Sequence, residues 1–363
     1  MASSSTPEET VLLLVRPPLP DPDDDSAGRG PLMMEAALSA LHSLRGRPAQ
    51  VSLEMGCSDG KIGLFVRASR RAAALIQSQL YGQYPDAEIE EVPVTLFDPR
   101  DREEMLTTDL FLTEPDVFPI RRHAQFVDLV SRQNVDTLAG MTSALVHYPL
   151  PGMRGHIQIC FRPLGSRYRR RALKFLPFLE RGLAKHWTAY AKIFVVVHLA
   201  RGWRRWAFLP FDILLGGFRG WFSAFRSPTS VSLVTGQETE MGEGEEMRSK
   251  TSLRSHDRED SLTAAVDKLN RLLFEANVRV SVIAPSGYRR ETEGKVEEIV
   301  SSFRQFSLQH CNGFHEARLR SSSTLPVGFC IRPFVLSVEE IATLWHVPTT
   351  LVQTPTGKVG PSP

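Results

Sequence analysis

The sequence predicts an α/β protein of the α+β type: a ferredoxin-like split-βαβ module, then a second α/β domain interrupted by a basic, aromatic insert and a disordered linker. Three observations support this prediction. Short apolar runs typical of strands recur between stretches with helical spacing. One long segment has no periodicity and is rich in Ser, Glu and Gly. The 363 residues, 42% hydrophobic and 23% charged, are sufficient for two globular domains.

The first predicted module covers residues 10–98 and follows a polar start at 1–9 that we expect to be disordered. The apolar run from Val11 to Val15 predicts a buried strand, and the next stretch has apolar residues at helical spacing. The same periodicities predict the remaining elements, namely strands at 51–55 and 62–66, a helix at 72–80 and a strand at 88–94. The order β-α-β-β-α-β is that of a ferredoxin-like module.

The second predicted domain combines residues 105–183 with 261–348. Its clearest strand lies at 157–161, where apolar residues face one side and Gln158, Cys160 and Arg162 face the other. The other predicted elements are a strand near 107–112, a helix over 138–145, a helix over 262–275, a strand over 278–283 and a helix over 296–306. We expect 157–161 and 278–283 to lie in one sheet.

The last predicted helix has strong boundary signals. Ser337 with Glu340 three residues later is a capping box, in which each residue satisfies a backbone N–H of the other. Pro348 provides a stop. These signals predict a buried helix near the C-terminal end of the second domain, followed by a disordered tail at 349–363.

The positive charge of the chain is concentrated in one segment. Residues 154–226 contain fifteen Lys or Arg against Glu180 and Asp212, a local charge of +13, although the whole chain carries only +2. The segment includes a predicted amphipathic helix near 167–179 and the basic aromatic insert at 184–226, which is followed by the acidic linker at 227–260. Such an asymmetry predicts an anionic partner for this segment.

The candidate membrane-binding or anion-binding residues of this segment are Arg167, Arg169, Arg170, Arg171, Trp187, Tyr190, Trp203, Arg204, Arg205, Trp206 and Trp221. Amphipathic rings beside cations suit the headgroup region of an anionic bilayer. The apolar runs at 193–200 and 206–218 are shorter than the roughly 20 residues of a spanning helix, which favours an in-plane or re-entrant hairpin. A partner-binding hairpin and a nucleic-acid surface remain open, because aromatic rings also stack on bases.

The sequence lacks the motifs of the catalytic classes that we considered. Thr356-Gly357-Lys358-Val359 resembles the end of a Walker A loop, but the preceding glycine position holds Val352 and the hydroxyl position holds Val359. His310, Cys311 and His315 have no fourth ligand nearby for a closed zinc site. We therefore expect no enzymatic activity, no cofactor and no metal site.

Four cysteines are widely spaced, at 57, 160, 311 and 330, with no Cys-x-x-Cys pair. The polar, acidic N-terminus has neither the cationic nor the apolar region of an export signal. Together these observations predict a reduced, cytoplasmic compartment.

Several motifs resemble the N-terminal region of conjugative, coupling-type ATPases related to HerA and FtsK. The stretch 338–348, ending Leu344-Trp345-His346-Val347-Pro348, resembles the segment just before their nucleotide-binding domain. The positions that carry the resemblance are Pro119, Ile120, Arg121, Phe126, Asp136, Gln158, Arg162, Pro163, Asn277, Arg279, Phe303, Phe306, Trp345, His346 and Pro348. Each of these positions also has a simple structural interpretation, as a strand end, a turn or a packed ring.

The resemblance implies a non-catalytic, membrane-proximal region that precedes a DNA-translocating ATPase in longer relatives. We therefore expect an adaptor or assembly region of a type IV secretion or conjugative DNA-transfer system, located at the inner face of the membrane. The expected partners are a separately encoded ATPase and an anionic membrane surface. The alternatives are a free-standing nucleic-acid-binding module that uses residues 154–226 and a truncated remnant without independent function. The oligomeric state is left open.

Overall fold

The computed structural model describes residues 9–17, 30–43, 50–58, 61–126, 136–180, 260–330 and 332–348. Two compact units divide the chain, one formed by 1–164 with 271–363 and the other by 165–270. The described residues form a mixed α/β fold with a mostly antiparallel sheet. The segments expected to be disordered, 1–9, 227–260 and 349–363, lie outside these residues except for residues 9 and 260, and so does the insert at 184–226.

The strands and helices of the described residues follow one another in the order of their numbers. The strands are β1 Thr10–Arg16, β2 Val51–Ser58, β3 Lys61–Ser69, β4 Glu88–Val92, β5 Glu103–Leu112, β6 Arg154–Pro163, β7 Leu273–Pro285, β8 Phe314–Glu316, β9 Arg320–Ser322 and β10 Phe334–Ser337. The helices are α1 Gly30–Ser39, α2 Arg70–Gln83, α3 Ala139–Val146, α4 Ser166–Glu180, α5 260–270, α6 Arg289–Ser302 and α7 Val338–Leu344. None of these helices is long and apolar enough to cross a membrane.

The first unit contains a ten-stranded sheet built from two halves with the same strand order. Its main path runs β4-β1-β3-β2-β6-β7-β5-β8, so that β4-β1-β3-β2 and, from the opposite edge, β8-β5-β7-β6 repeat one pattern. The halves join where β2 pairs antiparallel with β6, with Met55 opposite Ile157. The predicted first module, residues 10–98, and the second domain, predicted to begin at residue 105, therefore contribute strands to a single sheet.

In the amino-acid sequence, the second unit lies between two strands that are neighbours in this sheet. β6 and β7 are antiparallel neighbours, with Ile157 opposite Val280, as we expected for strands 157–161 and 278–283. In the first half only residues 59–60 separate β2 from β3, whereas residues 164–272 separate β6 from β7. The Leu164 N–H donates to the Leu273 carbonyl at 2.9 Å, so the chain leaves and re-enters the sheet at adjacent points.

One face of the sheet packs against helices and forms the main hydrophobic core. Alternate strand residues such as Leu53, Ile157 and Val280 are fully buried against apolar residues of the helices, including Met34 of α1 and Ile299 of α6. This is the expected consequence of the two-residue period of a strand. The intervening residues lie on the opposite face, and many of them are polar.

The C-terminal helix contacts both halves of the first unit. The predicted capping box is confirmed, since the Ser337 hydroxyl accepts from the Glu340 N–H at 3.3 Å and the Glu340 carboxylate accepts from the Ser337 N–H at 2.7 Å. The other carboxylate oxygen of Glu340 accepts from the Ile120 N–H at 2.8 Å. Beyond α7, the fully buried Trp345 donates its indole N–H to the Glu54 carbonyl of β2 at 3.0 Å.

Some predicted boundaries were wrong. The helix expected over 262–275 ends at residue 270, and β7 already begins at Leu273. Residues 273–276 are held in the sheet by pairing with β10, which the local sequence pattern does not reveal. The helix expected over 296–306 is α6 followed by a 3₁₀ turn, Phe303–Phe306.

Candidate functional site

A buried polar network occupies the sheet face that points away from the helices. Its members share adjacent strands and each is at most 4% exposed: Glu54, Arg67, Asp109, His156, Gln158, Asn277 and Arg279. They lie at the strand positions that alternate with the apolar core residues. Ionised side chains buried to this extent require close partners, because desolvation of an unpaired charge costs several kcal/mol.

Glu54 is the acceptor at the centre of the network. Arg67 donates from Nε and a terminal nitrogen to the two carboxylate oxygens of Glu54, at 2.8 and 3.2 Å. The Gln158 amide donates to one of these oxygens at 2.8 Å, and Nε2 of His156 lies 3.0 Å from the other. Arg67 also donates to the Val94 carbonyl at 2.9 Å. The carboxylate of Glu54 therefore connects β2, β3 and β6.

Arg279 and Asp109 form the second centre of the network. The Arg279 Nε donates to Asp109 at 2.9 Å, and a terminal nitrogen donates to the Gln158 side-chain oxygen at 3.2 Å. The same nitrogen donates to the Pro326 carbonyl at 2.7 Å, and Arg320 also pairs with Asp109. Gln158 therefore joins the two centres, because it donates to one and accepts from the other.

Two loops cover the network. Residues around 326–330 contribute backbone groups, including the Cys330 N–H, which donates to the Asn277 side-chain oxygen at 2.6 Å. In the loop after β4, the ring of Phe97 packs against the ring of His156, with centroids 4.4 Å apart and the ring planes tilted by 36°. Phe97 also lies directly over Gly56, where a Cβ atom would come within 2.1 Å of the ring. A side chain at position 56 would therefore displace the Phe97 ring from this position.

The charged partners of Glu54 change its acidity. Burial alone raises the pKa of this carboxyl, but hydrogen bonding and charge from His156, together with Arg67, outweigh burial and lower the pKa to about 2. Cys160, on the same face, shows the opposite result, since burial raises the pKa of its thiol to about 11. The thiol is therefore neutral at physiological pH and is a poor nucleophile.

We expect the protein to lose stability in acid through Glu54. Because its folded pKa is about 2 and its ordinary value is 4.5, the stabilisation is fully present above about pH 4.5 and is lost as the pH falls towards 2. The loss is on the order of 3 kcal/mol, at about 1.4 kcal/mol for each pKa unit. Urea unfolding between pH 6 and 2, compared with a Glu54→Gln variant, measures it. Equal pH dependence in the two proteins would contradict this assignment.

A second charged cluster lies on the helix side of the first unit. Nε2 of His123 is 2.8 Å from a carboxylate oxygen of Glu35 and 3.8 Å from one of Glu339. Arg122 and Arg271 each lie 3.0 Å from the other carboxylate oxygen of Glu339. Burial raises the pKa of Glu339, and the two arginines oppose that effect. Among the described residues, Glu35, His123 and Glu339 form the group of metal-ligating side chains that meets within 4.8 Å.

The structure places three of the resemblance positions in the polar network, namely Gln158, Asn277 and Arg279. Two others meet elsewhere, where Nε2 of His346 lies 3.5 Å from Asp136. Burial raises the pKa of Asp136, but hydrogen bonding and charge from His346 outweigh it, so that the pKa is lowered. These positions therefore belong to two separate groups of contacts.

The remaining resemblance positions have packing or boundary roles. Arg162 pairs with Glu275 at 2.8 Å, and the Arg121 guanidinium lies 4.1 Å from the centroid of the Phe126 ring. The other positions are buried or close an element, namely Pro119, Ile120, Pro163, Phe303, Phe306, Trp345 and Pro348. The rings of Phe126 and Phe306 are 5.8 Å apart.

The basic residues of α4 lie on its exposed surface, in the second unit. Arg167, Arg169, Arg170 and Arg171 are exposed, whereas Tyr168 and Ala172 are buried. Arg169 donates to the Asn270 side chain at 2.8 Å. The other candidates of this segment lie outside the described residues, namely Trp187, Tyr190, Trp203, Arg204, Arg205, Trp206 and Trp221.

Sequence reasoning missed most members of both clusters. In the sequence, four members of the polar network are recognisable only as polar residues at alternate positions of apolar strands, namely Glu54, Arg67, Asp109 and His156. This pattern is usual for a sheet face exposed to solvent, so it does not predict a buried network. His123, Glu35 and Glu339 are far apart in sequence and follow no motif spacing. The residues that we had considered as metal ligands, His310, Cys311 and His315, do not form such a group in the described part of the chain.

Comparison of the chain with protein-family models, curated proteins and solved structures finds no match.

Proposed function

We propose that this chain is a non-catalytic adaptor or assembly region of a type IV secretion or conjugative DNA-transfer system. In this role it works at the inner face of the membrane with a separately encoded ATPase. The sequence motifs described above support the association with such an ATPase. A non-catalytic role is supported by the polar network, whose charged groups bind one another and lie beneath two loops instead of facing an open cleft.

In this proposal each half of the sheet is a ferredoxin-like module. The supporting observations are the order of the strands, β4-β1-β3-β2 and β8-β5-β7-β6, and their antiparallel pairing. A helix follows the first and third strand of each half, with α1 and α2 in one and α3 and α6 in the other. These connections support the proposal, because a split-βαβ module has a helix after its first and third strands.

The observation that carries the proposed membrane contact is the charge distribution on α4. Four arginines are exposed on this helix, while Tyr168 and Ala172 are buried. The helix leads into residues 184–226, where tryptophans and phenylalanines alternate with basic residues. Arginine side chains near an anionic bilayer contribute about 1 kcal/mol each, so that four of them suffice for a measurable effect.

Flotation of the full chain with vesicles tests the membrane contact. We expect binding to phosphatidylserine-containing vesicles, little binding to neutral phosphatidylcholine vesicles, and a loss of about tenfold or more when Arg167, Arg169, Arg170 and Arg171 are changed to Gln. The matched control changes Arg100, Arg290, Arg304 and Arg318 to Gln, because these are also exposed and alter the net charge equally. An equal loss of vesicle binding in the two variants would show that the net charge of the chain is the cause, and it would contradict the proposal.

The same variants distinguish binding to a membrane from binding to nucleic acid. If the surface serves DNA instead, the arginine variant loses a salt-dependent mobility shift with duplex DNA while its vesicle binding stays unchanged. That outcome would overturn the membrane contact in favour of a nucleic-acid-binding module.

A further inference from the structure

We propose that Glu35, His123 and Glu339 form a binding site for a divalent transition-metal ion of the zinc type, which links α1 and α7 to the loop between β5 and α3. The three side chains come from three separate segments of the first unit. The site shares no residue with the polar network or with the basic surface of α4.

The spacing of the ligand atoms suits a small metal ion. Four ligands placed tetrahedrally about 2.0–2.2 Å from zinc lie roughly 3.3 Å from one another. The distances from Nε2 of His123 to the carboxylate oxygens of Glu35 and Glu339, 2.8 and 3.8 Å, bracket this value. All three ligand atoms lie within 4.8 Å of one another, so that side-chain rotations suffice to bring them to one ion.

The surrounding residues orient the carboxylates for this role. In Glu339, one oxygen faces His123 while the other contacts Arg122 and Arg271. Glu35 is arranged similarly, with Oε1 at His123 and Oε2 3.7 Å from Arg271. Arg122 thus donates to the outer oxygen of Glu339 at 3.0 Å, and Arg271 lies beside the outer oxygens of both carboxylates, while the inner oxygens face the imidazole. Outer partners of this kind fix the orientation of metal ligands.

The backbone of His123 is also fixed by a hydrogen bond. The His123 N–H donates to the Thr343 hydroxyl of α7 at 2.9 Å, and the Thr343 hydroxyl donates to the Glu339 carbonyl at 2.7 Å. The backbone of His123 is therefore tied to the same helix that carries Glu339. One metal ion would connect this helix to α1 through Glu35.

The ligand types select the class of metal. One imidazole nitrogen with two carboxylate oxygens is a mixed set that suits zinc and related transition metals, whereas magnesium and calcium favour oxygen ligands alone. Three protein ligands leave a fourth position for water.

Metal binding at this site requires the lone pair of Nε2 of His123. Nε2 of His123 lies 2.8 Å from a Glu35 oxygen, and the tautomer that donates a hydrogen bond to this carboxylate carries its proton on Nε2. A metal ion takes the lone pair of Nε2 once that proton has moved to Nδ1, so a neutral imidazole binds the ion and keeps its one proton. We therefore expect His123 to bind the ion as the tautomer that carries its proton on Nδ1, with no net release of a proton from the neutral ring.

Titration calorimetry of the tag-free full chain with ZnCl₂ tests the site. After removal of metals with a chelator, we expect one Zn²⁺ per chain. We expect Zn²⁺ to raise the unfolding temperature and MgCl₂ at equal concentration to leave it unchanged. Glu35→Gln and His123→Gln should each weaken binding about tenfold or more.

Controls distinguish this site from adventitious binding. Glu297→Gln and His310→Gln change exposed residues of the same types and should bind Zn²⁺ like the unaltered protein. Circular dichroism checks that each variant is folded, and titration of the unaltered protein tests the site independently of the variants. Absence of stoichiometric Zn²⁺ binding to it would overturn the proposal, as would unchanged affinity in folded Glu35→Gln and His123→Gln proteins. Either result would show that Glu35, His123 and Glu339 form a cluster of ion pairs and not a metal site.

Discussion

Replacing Glu54 by Gln is expected to destabilise the first unit by about 3–5 kcal/mol, the range found when one partner of a buried ion pair is removed. The substitution preserves the shape of the side chain but removes the charge that balances Arg67. It also directs an amide N–H₂ at groups that are themselves donors, because Arg67 and Gln158 donate to the carboxylate. Urea unfolding at pH 7, followed by far-ultraviolet circular dichroism, measures the change.

Glu90→Gln is the matched control for this experiment. Glu90 also lies on a strand and pairs with an arginine, Arg16, at 2.7 Å, but its side chain is 56% exposed. Exposed pairs contribute about 0–1 kcal/mol because water and salt screen them. If the two substitutions had similar effects, burial of the Glu54 network would not be the source of its stabilising role.

Replacing Trp345 by Ala is the second substitution with a large expected effect, about 3–5 kcal/mol. The Trp345 side chain is fully buried, and its indole N–H donates to the Glu54 carbonyl at 3.0 Å. The variant loses this hydrogen bond and leaves a cavity between the C-terminal segment and the sheet. Urea unfolding measures the loss of stability, and hydrogen exchange should locate increased opening at residues 338–348.

Two further substitutions separate the contributions of Trp345. Trp345→Phe retains an aromatic ring but removes the N–H donor, and we expect a smaller loss of about 1–3 kcal/mol. Leu32→Ala removes an apolar side chain that is 56% exposed and should change stability by less than about 0.5 kcal/mol. If Trp345→Ala cost no more than Leu32→Ala, the C-terminal segment would not be an integral part of the first unit.

Elements with a strong local signal could be predicted from the sequence. In β6, the alternation of Ile157 and Ile159 with Gln158 indicated both the strand and its two faces, since side chains of a strand point alternately to opposite sides. The capping box at Ser337 and Glu340 indicated the start of α7 because both hydrogen bonds join residues three positions apart. The exposed arginines of α4 were predicted from helical spacing in the same way.

Elements and contacts that depend on distant residues could not be predicted. The start of β7 was missed because its first residues pair with β10, some sixty positions later in the chain, and with β6, more than one hundred positions earlier. The alternation in β2 and β6 placed their polar residues on one face of each strand. It did not predict that Glu54 and His156 contact each other, because 102 positions separate them in the sequence. The cluster of Glu35, His123 and Glu339 is a similar case, because its ligands come from three segments.

The sequence by itself therefore determined the α/β class, the positions of most strands and helices, the capping box and the basic segment. Each of these is encoded by residues within one or two turns or strands, where periodicity and side-chain chemistry act locally. Only the tertiary structure decided that both halves share one sheet, which strands are neighbours, and which charged side chains meet. These features depend on the pairing of strands and helices that are remote in the chain, and a hydrophobic pattern specifies which face is buried but not what lies beside it.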